Sequence, residues 1–513
     1  MGSTRRVLVG CCIALLVAAG GLLGSGRLVG HAQTSLVNNF SRQYFAPYVD
    51  MTAFPTQSLV QDSRNGGLRF YSLAFVTNSG SCVAAWGGAV PLSQLNVFLP
   101  NLDSDISSLR ASGGDVIVSF GGEAGTELEV IDATGMAVLP GLIDLHYHTA
   151  IGKGFSDHLP LWEYLETCWY PLIRNLDADA AYWAAAASYL ESIKCGVTTV
   201  NDMYRRVPDL ARAAADIGIR AVLSNDVALD EHNLDTLQDN KDAYDAAHGS
   251  GDGRVEVYVG IEWLPLASPE LLRDARTLAD ELGTGIHVHL NESLTEVENS
   301  KERFGRRPTE VAYDAGLLGR HTIAAHCVWL SDTEIALMRE TGTQISHNPS
   351  SNAKLGNGIA RLPEMLAAGL NVGLGHDAAE CNNSLDMFEV MKFASLMHRA
   401  ARVDASLQQA PDVLGMATRN GAAALGHETG QLAAGYKADV ALVDTRNVMF
   451  TPLAPGNAEQ LYSHLVFAAN GSAVDTTIVD GRVLMRGRKL LTLDEQEILR
   501  QANAAFQRVL ARI

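Results

Sequence analysis

Basic residues are scarce in this chain. Its 513 residues include 39 Lys and Arg against 58 Asp and Glu, a formal net charge of -19 at pH 7. Basic residues adjoin one another only in pairs such as Arg306-Arg307. Because a phosphate backbone is bound by clustered Lys and Arg, this composition argues against a nucleic-acid partner.

Cysteine is also scarce, with seven residues in 513. Cys11 and Cys12 lie near the N-terminus, and the remaining five are scattered: Cys82, Cys168, Cys195, Cys327 and Cys381. An odd, irregularly spaced set is not a disulfide framework. Cys195 and Cys327 adjoin strand-like segments, so we expect them to be small buried apolar residues.

The first 32 residues have the pattern of an export signal. Arg5-Arg6 precede an apolar run from Val7 to Gly24, and small residues follow at Gly30-His31-Ala32. This order predicts a signal peptide over residues 1–32, a secreted or periplasmic protein, and membrane contact only during export. The alternatives are an uncleaved membrane anchor and, given the unpaired cysteines, a cytoplasmic protein.

Ligand-type residues end four strand-like apolar segments. Gly141–His148 carries His146 and His148 at alternate positions, so both imidazoles leave the same face of a strand. Paired imidazoles are what a zinc-like ion takes as its first two ligands. Three later segments end in similar residues: His289 with Glu292, His326, and Asp377.

These segments belong to a series of eight predicted strands. We place the strands at 137–148, 196–203, 219–227, 254–264, 285–292, 321–328, 342–349 and 371–378. Helical stretches separate them, such as the alanine-rich residues 177–195. The alternation predicts an α/β fold, a (β/α)8 TIM-type barrel, in which strand ends from across the chain converge on one site. The sequence lacks a phosphate-binding glycine loop after the first strand, which weakens a dinucleotide-binding fold.

A smaller domain follows the barrel. Residues 438–443 and 477–485 have the composition of short strands, the second run broken by the hairpin signal Asp480-Gly481. We therefore predict a signal peptide at 1–32, a separate segment at 33–125, a barrel at 126–428, a small β-sandwich domain at 429–490 and a C-terminal helix at 491–513.

Five motifs occur in order and at barrel spacing. They are Pro140–His148, His289–Glu292, Ala325–Cys327, Ser346–Ser351 and Gly375–Asp377. On these motifs, residues from about 128 to 490 resemble the amidohydrolase superfamily, in the branch of aminopurine and aminotriazine deaminases and triazine chlorohydrolases. Within that branch the chain is most similar to the hydroxydechloroatrazine ethylaminohydrolases.

The resemblance implies a single divalent ion, zinc in the first place and iron as the alternative, with the ligands His146, His148, His289 and Asp377. It implies that His326 contacts the water on that ion and that Glu292 carries a proton to the leaving group. Asp377 is a ligand that also accepts a proton. The resemblance further implies a small heterocyclic substrate and a homo-oligomer.

Departures from the family pattern bear on the substrate. Adenosine-type members carry a Pro-His motif after strand four, where this chain has Glu262 and Trp263. They also place a carboxylate where it has Ile173. Recognition of a nucleoside through those groups is therefore in doubt. Strand four lacks a lysine that, once carbamylated, bridges two metals, and this favours a single ion.

Tryptophans are candidates for an aromatic pocket around a flat heterocycle. Trp162 and Trp263 are the predicted substrate contacts and Trp169 is a third candidate, with core packing as the alternative for each.

Three further histidines are expected to be outside the ligand set. We expect His287 to pack behind the ligands rather than to bind the ion. His347 opens a turn-like His-Asn-Pro and either stabilises the loop or touches substrate, and alternation turns His376 away from the site toward a structural role.

Residues 33–125 have a different likeness. The stretches 44–50, 70–75 and 114–122 resemble the first three strands of a family 18 glycoside hydrolase, the chitinase type. The acidic catalytic motif of that family is missing from this sequence, so glycosidic cleavage has no proton donor.

Together these features predict a metal-dependent hydrolase of carbon–nitrogen bonds other than peptide bonds. Its expected reaction is deamination of an amino-substituted N-heterocycle of the triazine, purine or pterin type. The alternatives are a dechlorinating triazine hydrolase on the same scaffold, and a secreted carbohydrate-binding or inactive fusion protein built around residues 33–125.

Overall fold

The structure is a computed structural model. It describes residues 131–513 apart from 156 and 434, and before them the stretches 48–50, 58–66, 70–78, 84–86, 90–91, 102–112 and 115–120. The predicted signal peptide at 1–32 lies outside the described residues. Within these ranges no helix combines the length and the apolar composition needed to cross a membrane.

The chain divides into two compact units. One comprises Met1–Asp132 with Asp480–Arg482, and the other comprises Ala133–Val479 with Val483–Ile513. The described part of the first unit contains the helices Leu59–Gly66 and Leu102–Ala111 and five strands, which are β1 (Tyr48–Asp50), β2 (Phe70–Asn78), β3 (Ala84–Trp86), β4 (Val90–Pro91) and β5 (Asp115–Phe120). Strand β2 pairs in parallel with β1 and β5 and antiparallel with β3. Within the described residues, strands β1, β2 and β5 overlap the predicted stretches 44–50, 70–75 and 114–122 and are parallel neighbours.

Parallel strands form the centre of the second unit. They are β7 (Leu142–His148), β8 (Val197–Met203), β9 (Arg220–Ser224), β10 (Val255–Val257), β11 (Val259–Trp263), β12 (Ile286–Leu290), β13 (Thr322–His326), β14 (Gln344–His347), β15 (Val372–Leu374) and β16 (Asp377–Ala378). They pair in the orders β10-β9-β8-β7-β16 and β11-β12-β13-β14-β15. Because β10 and β11 are consecutive pieces of one strand, and β15 and β16 of another, the two sheets make up the eight strands of a TIM-type barrel. Strands β7, β8, β9, β11, β12 and β13 are buried along their whole length, as expected for parallel strands that are covered on both faces.

The first predicted strand, 137–148, is wrong as a single element. Residues Met136–Pro140 form a separate strand, β6, in another sheet, and the barrel strand begins at Leu142. The break falls at Gly141, where a Cβ atom would lie 2.1 Å from the hydroxyl oxygen of Thr198. The apolar run continues through the break, and so the sequence pattern does not reveal it.

Outside the barrel, this unit contains an antiparallel sheet of five strands. Its order is β20-β19-β18-β17-β6, with β17 at Val440–Asp444, β18 at Val474–Val479, β19 at Arg482–Arg486 and β20 at Lys489–Leu490. The strands predicted at 438–443 and 477–485 correspond to β17 and to the hairpin of β18 and β19. Strand β6 joins this sheet by pairing with β17, from Val440 opposite Pro140 to Asp444 opposite Met136.

Helices connect the strands and close the chain. The α-helices of the second unit are Leu161–Tyr164, Tyr170–Arg174, Ala178–Lys194, Val207–Ile217, Leu237–Ala247, Ser250–Gly253, Pro269–Leu282, Leu294–Phe304, Pro308–Asp314, Asp332–Thr341, Pro349–Lys354, Leu362–Ala367, Ala379–Asn382, Met387–Arg402, Ala410–Gly415, Gly421–Leu425, Ala458–Phe467 and Glu495–Leu510. Single π-turns at Leu165–Trp169 and Met416–Asn420 join neighbouring helices, and short 3-10 turns lie at Asp230–His232, Leu264–Leu266, Val448–Phe450 and Gly471–Ala473.

Capping residues define the ends of several helices. The helix Ala178–Lys194 begins after Asp177, whose carboxylate accepts a hydrogen bond from the main-chain N–H of Ala180. Ser331 and Glu334 form a reciprocal capping box at the start of Asp332–Thr341. That helix ends at Gly342, whose φ of 72° is the left-handed conformation that glycine adopts without strain.

Candidate metal centre

Four imidazoles and one carboxylate converge at the ends of the barrel strands. His146 and His148 come from β7, His289 from β12, His326 from the end of β13 and Asp377 from β16. All five side chains are nearly or fully buried. The structure therefore brings together the four predicted ligands and the predicted catalytic residue His326.

The distances among these groups suit a common ligand. The Nε2 atoms of His146 and His148 lie 3.6 and 3.4 Å from Oδ1 of Asp377, and the Nε2 atoms of His148 and His289 are 3.1 Å apart. Nε2 of His326 is 3.8 Å from the other oxygen of Asp377. Two groups, His146–His148–His289 and His146–His326–Asp377, have their donor atoms within 4.8 Å of one another.

Main-chain carbonyls orient two of the imidazoles through Nδ1. Nδ1 of His148 lies 2.5 Å from the carbonyl oxygen of Met203, and Nδ1 of His289 hydrogen-bonds the carbonyl oxygen of Glu262. Because a carbonyl only accepts, each Nδ1 carries the proton. The lone pair is then on Nε2, which faces the common centre.

Side chains orient the other two imidazoles. Nδ1 of His146 is 2.8 Å from Nε2 of His287, whose Nδ1 in turn is 3.3 Å from the hydroxyl of Ser224. Nδ1 of His326 is 2.9 Å from Oδ1 of Asn352. The Nε2 atoms of His146 and His326 are buried and have no hydrogen-bond partner among the described residues.

Burial favours the ligand form of these residues. It lowers the pKa of the imidazoles of His146, His289 and His326, which keeps them neutral. Burial alone would raise the pKa of the Asp377 carboxyl. The imidazoles of His326 and His148 outweigh that effect, so the pKa is lowered and the carboxylate is anionic.

The backbone is strained where two of these residues leave their strands. His326 and Asp377 both have φ of 71°, in the left-handed region that side chains with a Cβ atom rarely occupy. Such strain persists where the surroundings enforce it and is concentrated at functional sites. The hydroxyl of Ser351 donates to Oδ2 of Asp377 at 2.6 Å and helps to hold that carboxylate in place.

This donor set fits one divalent ion. Three imidazoles and a carboxylate, each oriented by a further hydrogen bond, are the kind of ligands that zinc takes in proteins. The unpartnered Nε2 of the buried His146 is the observation that most directly indicates an ion here.

Glu292 stands beside this centre as a second carboxyl group. Its Oε1 accepts a hydrogen bond from the amide of Asn357 at 2.8 Å and lies 3.8 Å from Nδ1 of His326. Burial, followed by the nearby carboxylates of Asp377 and Glu296, raises the pKa of Glu292 well above its usual value. This shift of the pKa favours the protonated form of Glu292, the state that a general acid requires.

A cavity opens onto the centre. His289, Glu292 and Asp377 form one part of its lining, Trp169 and Trp263 another, and leucines a third. Glu262 also lines it, and burial raises the pKa of that carboxyl to about 7. A lining of aromatic and apolar side chains with a few convergent polar groups suits a flat heterocycle.

The two tryptophans predicted to contact substrate have different positions. Trp263 lines the cavity. Trp162 is not part of the lining and packs against Trp263, with ring centroids 4.4 Å apart. Trp169 is in the lining instead, with its ring 5.3 Å from that of His148.

The remaining histidines occupy supporting positions. His287 lies behind His146, as the sequence predicted. His347 pairs with His398 through Nε2 atoms 3.1 Å apart, and His376 pairs with the buried carboxylate of Asp144 at 2.6 Å. The structural role expected for His376 agrees with this pairing.

Several residues of the site were missed by the sequence reasoning. Ser351 closes the motif Ser346–Ser351 and Asn352 follows it directly, so that motif was the available signal. Asn357 lies in a loop outside every motif, and we find no sequence signal for it.

The family model of the amidohydrolases, described as "Amidohydrolase family", matches residues 137–484. The 5'-deoxyadenosine deaminase of Methanosarcina mazei is 37% identical over 430 residues, which cover 82% of this chain and 98% of that protein. The 5-methylthioadenosine/S-adenosylhomocysteine deaminase of Dictyoglomus thermophilum is 40% identical over 379 residues, covering 73% and 87%.

Solved structures agree in fold. A zinc-bound adenosine deaminase from Xanthomonas campestris matches with a TM-score of 0.68 and 25% identity, over 77% of this chain and 88% of that chain. The zinc complex of atrazine chlorohydrolase TrzN from Arthrobacter aurescens matches with a TM-score of 0.67 and 23% identity, over 76% and 90%. These matches do not extend support to the likeness to hydroxydechloroatrazine ethylaminohydrolases or to the chitinase-like character of residues 33–125.

Proposed function

The chain belongs to the amidohydrolase family, as its five motifs predicted, and we propose that it removes an amino group by hydrolysis from an aminopurine-like N-heterocycle. Overall, water adds to the ring carbon that carries the amino group, and the amino group leaves as ammonia. The observation that carries this proposal is the position of the Glu292 carboxyl group, in the lining of an aromatic cavity and 3.8 Å from Nδ1 of His326 in the imidazole cluster.

We propose one zinc ion as the cofactor, held by His146, His148, His289 and Asp377. When bound, such an ion lowers the pKa of a coordinated water toward neutrality. The Nδ1 hydrogen bonds of the imidazoles keep their Nε2 lone pairs directed at the ion's position. Ser351 holds the carboxylate of Asp377 in the same orientation.

Glu292 supplies the proton that makes the amino group a leaving group. An amine leaves a ring carbon readily only after it has been protonated. The carboxyl of Glu292 lines the cavity, its proton is retained by burial, and Asn357 fixes its orientation by donating to Oε1. His326, held through Nδ1 by Asn352, directs its Nε2 toward Asp377 and the reacting position. Asp377 then accepts the proton that the attacking water gives up.

Dechlorination on the same scaffold is the second candidate. Chloride leaves a ring carbon without being protonated, whereas an amine must first receive a proton. The presence of the Glu292 carboxyl group in the cavity lining therefore favours an amine as the leaving group. Triazines and pterins carry the same kind of amino-substituted carbon and belong in the substrate panel.

The test is ammonia release by purified protein before and after metal removal. We expect ammonia from at least one of adenine, 5'-deoxyadenosine, 5-methylthioadenosine, an aminotriazine and a pterin. We also expect activity to be lost after chelation and to return with one zinc per chain. Chloride release from a chlorotriazine without ammonia from any amine would replace this proposal by dechlorination, and activity that survives complete metal removal would contradict it.

We further propose that the protein is exported and that it forms a homo-oligomer. Cleavage after the segment 1–32 predicts a mature chain beginning near residue 33 in the exported fraction, which N-terminal sequencing would detect. An intact chain in the cytosol would instead support the alternative location. The expected homo-oligomer is checked by light scattering.

A further inference from the structure

A second carboxylic acid, Glu262, faces the same cavity as Glu292. Its main chain is held at both polar atoms. The N–H of Glu262 donates to the carbonyl of Val227 at 2.9 Å, and its carbonyl accepts from Nδ1 of His289. Glu262 is therefore fixed relative to the imidazole cluster without the use of its side chain.

The carboxyl group of Glu262 has little protein bonding of its own. It is 4% exposed, and among the residues that the structure describes its one hydrogen-bond donor is the hydroxyl of Tyr170, at 3.3 Å from Oε1. A carboxylate has room for about four hydrogen bonds. Because buried acceptors are normally satisfied, the remaining capacity is available to whatever occupies the cavity.

The residues that line the cavity limit the kind of molecule that can bind in it. Its lining contains the acids Glu262, Glu292 and Asp377 but no Lys or Arg and no side-chain amide. A phosphate or carboxylate on the substrate would meet no compensating charge there. Adjacent N–H groups, in contrast, match the two oxygens of a carboxyl in a bidentate pair.

This chain lacks a carboxylate that is expected to recognise ribose in adenosine-type relatives. Where adenosine-type relatives place a carboxylate, this chain has Ile173, which is 2% exposed and packs in the apolar core. Ile173 does not line the cavity. Ile173 lies on the helix Tyr170–Arg174, whereas the acid Glu262 lies on strand β11 and lines the cavity beside His289.

We propose that Glu262 selects the substrate by binding a second N–H-bearing edge, a cyclic amidine or guanidine, on an aminated heterocycle that carries no ribose and no anionic group. This inference rests on the proposed deaminase function. It assigns Glu292 to the amino group that leaves and Glu262 to the edge that is recognised and retained.

Matched substrates and one isosteric variant test this assignment. The substrates are adenine and adenosine, which lack the guanidine edge, and 2,6-diaminopurine and 2,4-diaminopteridine, each of which retains a 2-amino group when its other amino group leaves. We expect the zinc-loaded wild type to favour the guanidine-edged bases over adenine by tenfold or more in kcat/KM, and to favour adenine over adenosine. In Glu262→Gln, which keeps the shape but loses one acceptor and the charge, kcat/KM for the guanidine-edged bases should fall roughly 10–100-fold, mainly through KM.

Glu256→Gln is the control. Glu256 lies on β10, the preceding piece of the same strand, and bonds His427 at 2.9 Å away from the cavity lining. We expect wild-type ranking and rates from it, and wild-type zinc content from both variants, since the main-chain carbonyl that holds His289 is unchanged.

The possible results distinguish a failure of the role proposed for Glu262 from a failure of the deaminase function. If the wild type releases ammonia but prefers adenosine, or if Glu262→Gln leaves the substrate ranking unchanged, the role of Glu262 is overturned and the deaminase function stands. If no heterocycle releases ammonia with zinc-loaded wild type, the proposed function fails and this inference fails with it.

Discussion

The hydrogen bond from His146 to His287 offers a sharp test of how the centre is built. His287 lies two residues before His289 on β12, on the same face, so either residue could serve as a ligand from the sequence pattern alone. In the structure Nε2 of His287 faces Nδ1 of His146 at 2.8 Å, and Nδ1 of His287 faces Ser224. Both nitrogens of His287 are thus engaged, and its task is to orient His146.

The perturbation is His287→Phe, with His287→Gln as its matched partner. Phenylalanine fills the place of the imidazole but accepts no hydrogen bond, which leaves the buried N–H of His146 unsatisfied. An unsatisfied buried donor costs about 1–3 kcal/mol, and each 1.4 kcal/mol corresponds to about a tenfold change in affinity. We therefore expect zinc affinity to fall roughly 10–100-fold, the range found when partners of metal ligands are removed. Glutamine retains an acceptor oxygen near the position of Nε2, and so its loss should be smaller.

The assay is zinc titration against a competing chelator, combined with zinc stoichiometry at saturation. Both variants should still bind one ion per chain when zinc is in excess, and excess zinc should restore much of the activity. A folded His287→Phe protein that binds no zinc at saturation would show that His287 is itself a ligand. Unchanged affinity in both variants would show that the hydrogen bond to His146 contributes nothing.

Two further predictions concern packing and pH. A Cβ atom at Gly375 would lie 2.8 Å from the main-chain nitrogen of His146, so Gly375→Ala should lower the free energy of unfolding by about 1–3 kcal/mol and weaken zinc binding. At Gly319 a Cβ would meet nothing within 4 Å, so Gly319→Ala should leave both quantities unchanged. Urea titration measures the free energy of unfolding, and zinc titration measures the binding. Burial, and then Arg402, lowers the pKa of His398 from 6.5 to about 4. Because the unfolded chain takes up this proton first, the contribution of His398 to stability is complete above about pH 6.5 and is lost as the pH falls toward 4. His398→Gln should therefore lose less stability between pH 7 and pH 4.5 than the wild type, and an equal loss would contradict the assignment.

Alternation and order along the chain predicted most of the centre. His146 and His148 share a face because β7 is a strand, and barrel topology places the ends of β12, β13 and β16 beside them. Those two rules suffice for His326 and Asp377, whereas the choice of His289 over His287 rested on the motif His289–Glu292.

Other features of the fold and the site cannot be predicted from the two-residue alternation of side chains along a strand. The π-turn Leu165–Trp169 changes the face that this helical segment presents, and the structure places Trp169 rather than Trp162 in the lining. Gly141 separates strand β6 of the antiparallel sheet from the barrel strand β7, inside an apolar run that shows no interruption. Asn357 reaches Glu292 from a loop, where no periodicity marks the position.

The most direct test of the account is the pairing of zinc content with kcat in Glu292→Gln, compared with His289→Ala. If Glu292 carries the proton and His289 holds the ion, Glu292→Gln should keep its zinc while kcat falls by roughly 10²–10⁴, the usual contribution of general acid–base catalysis. His289→Ala should lose zinc and activity together, with partial recovery in excess zinc. A Glu292→Gln protein that loses its zinc would identify Glu292 as a ligand, and one that retains full activity would remove it from the mechanism.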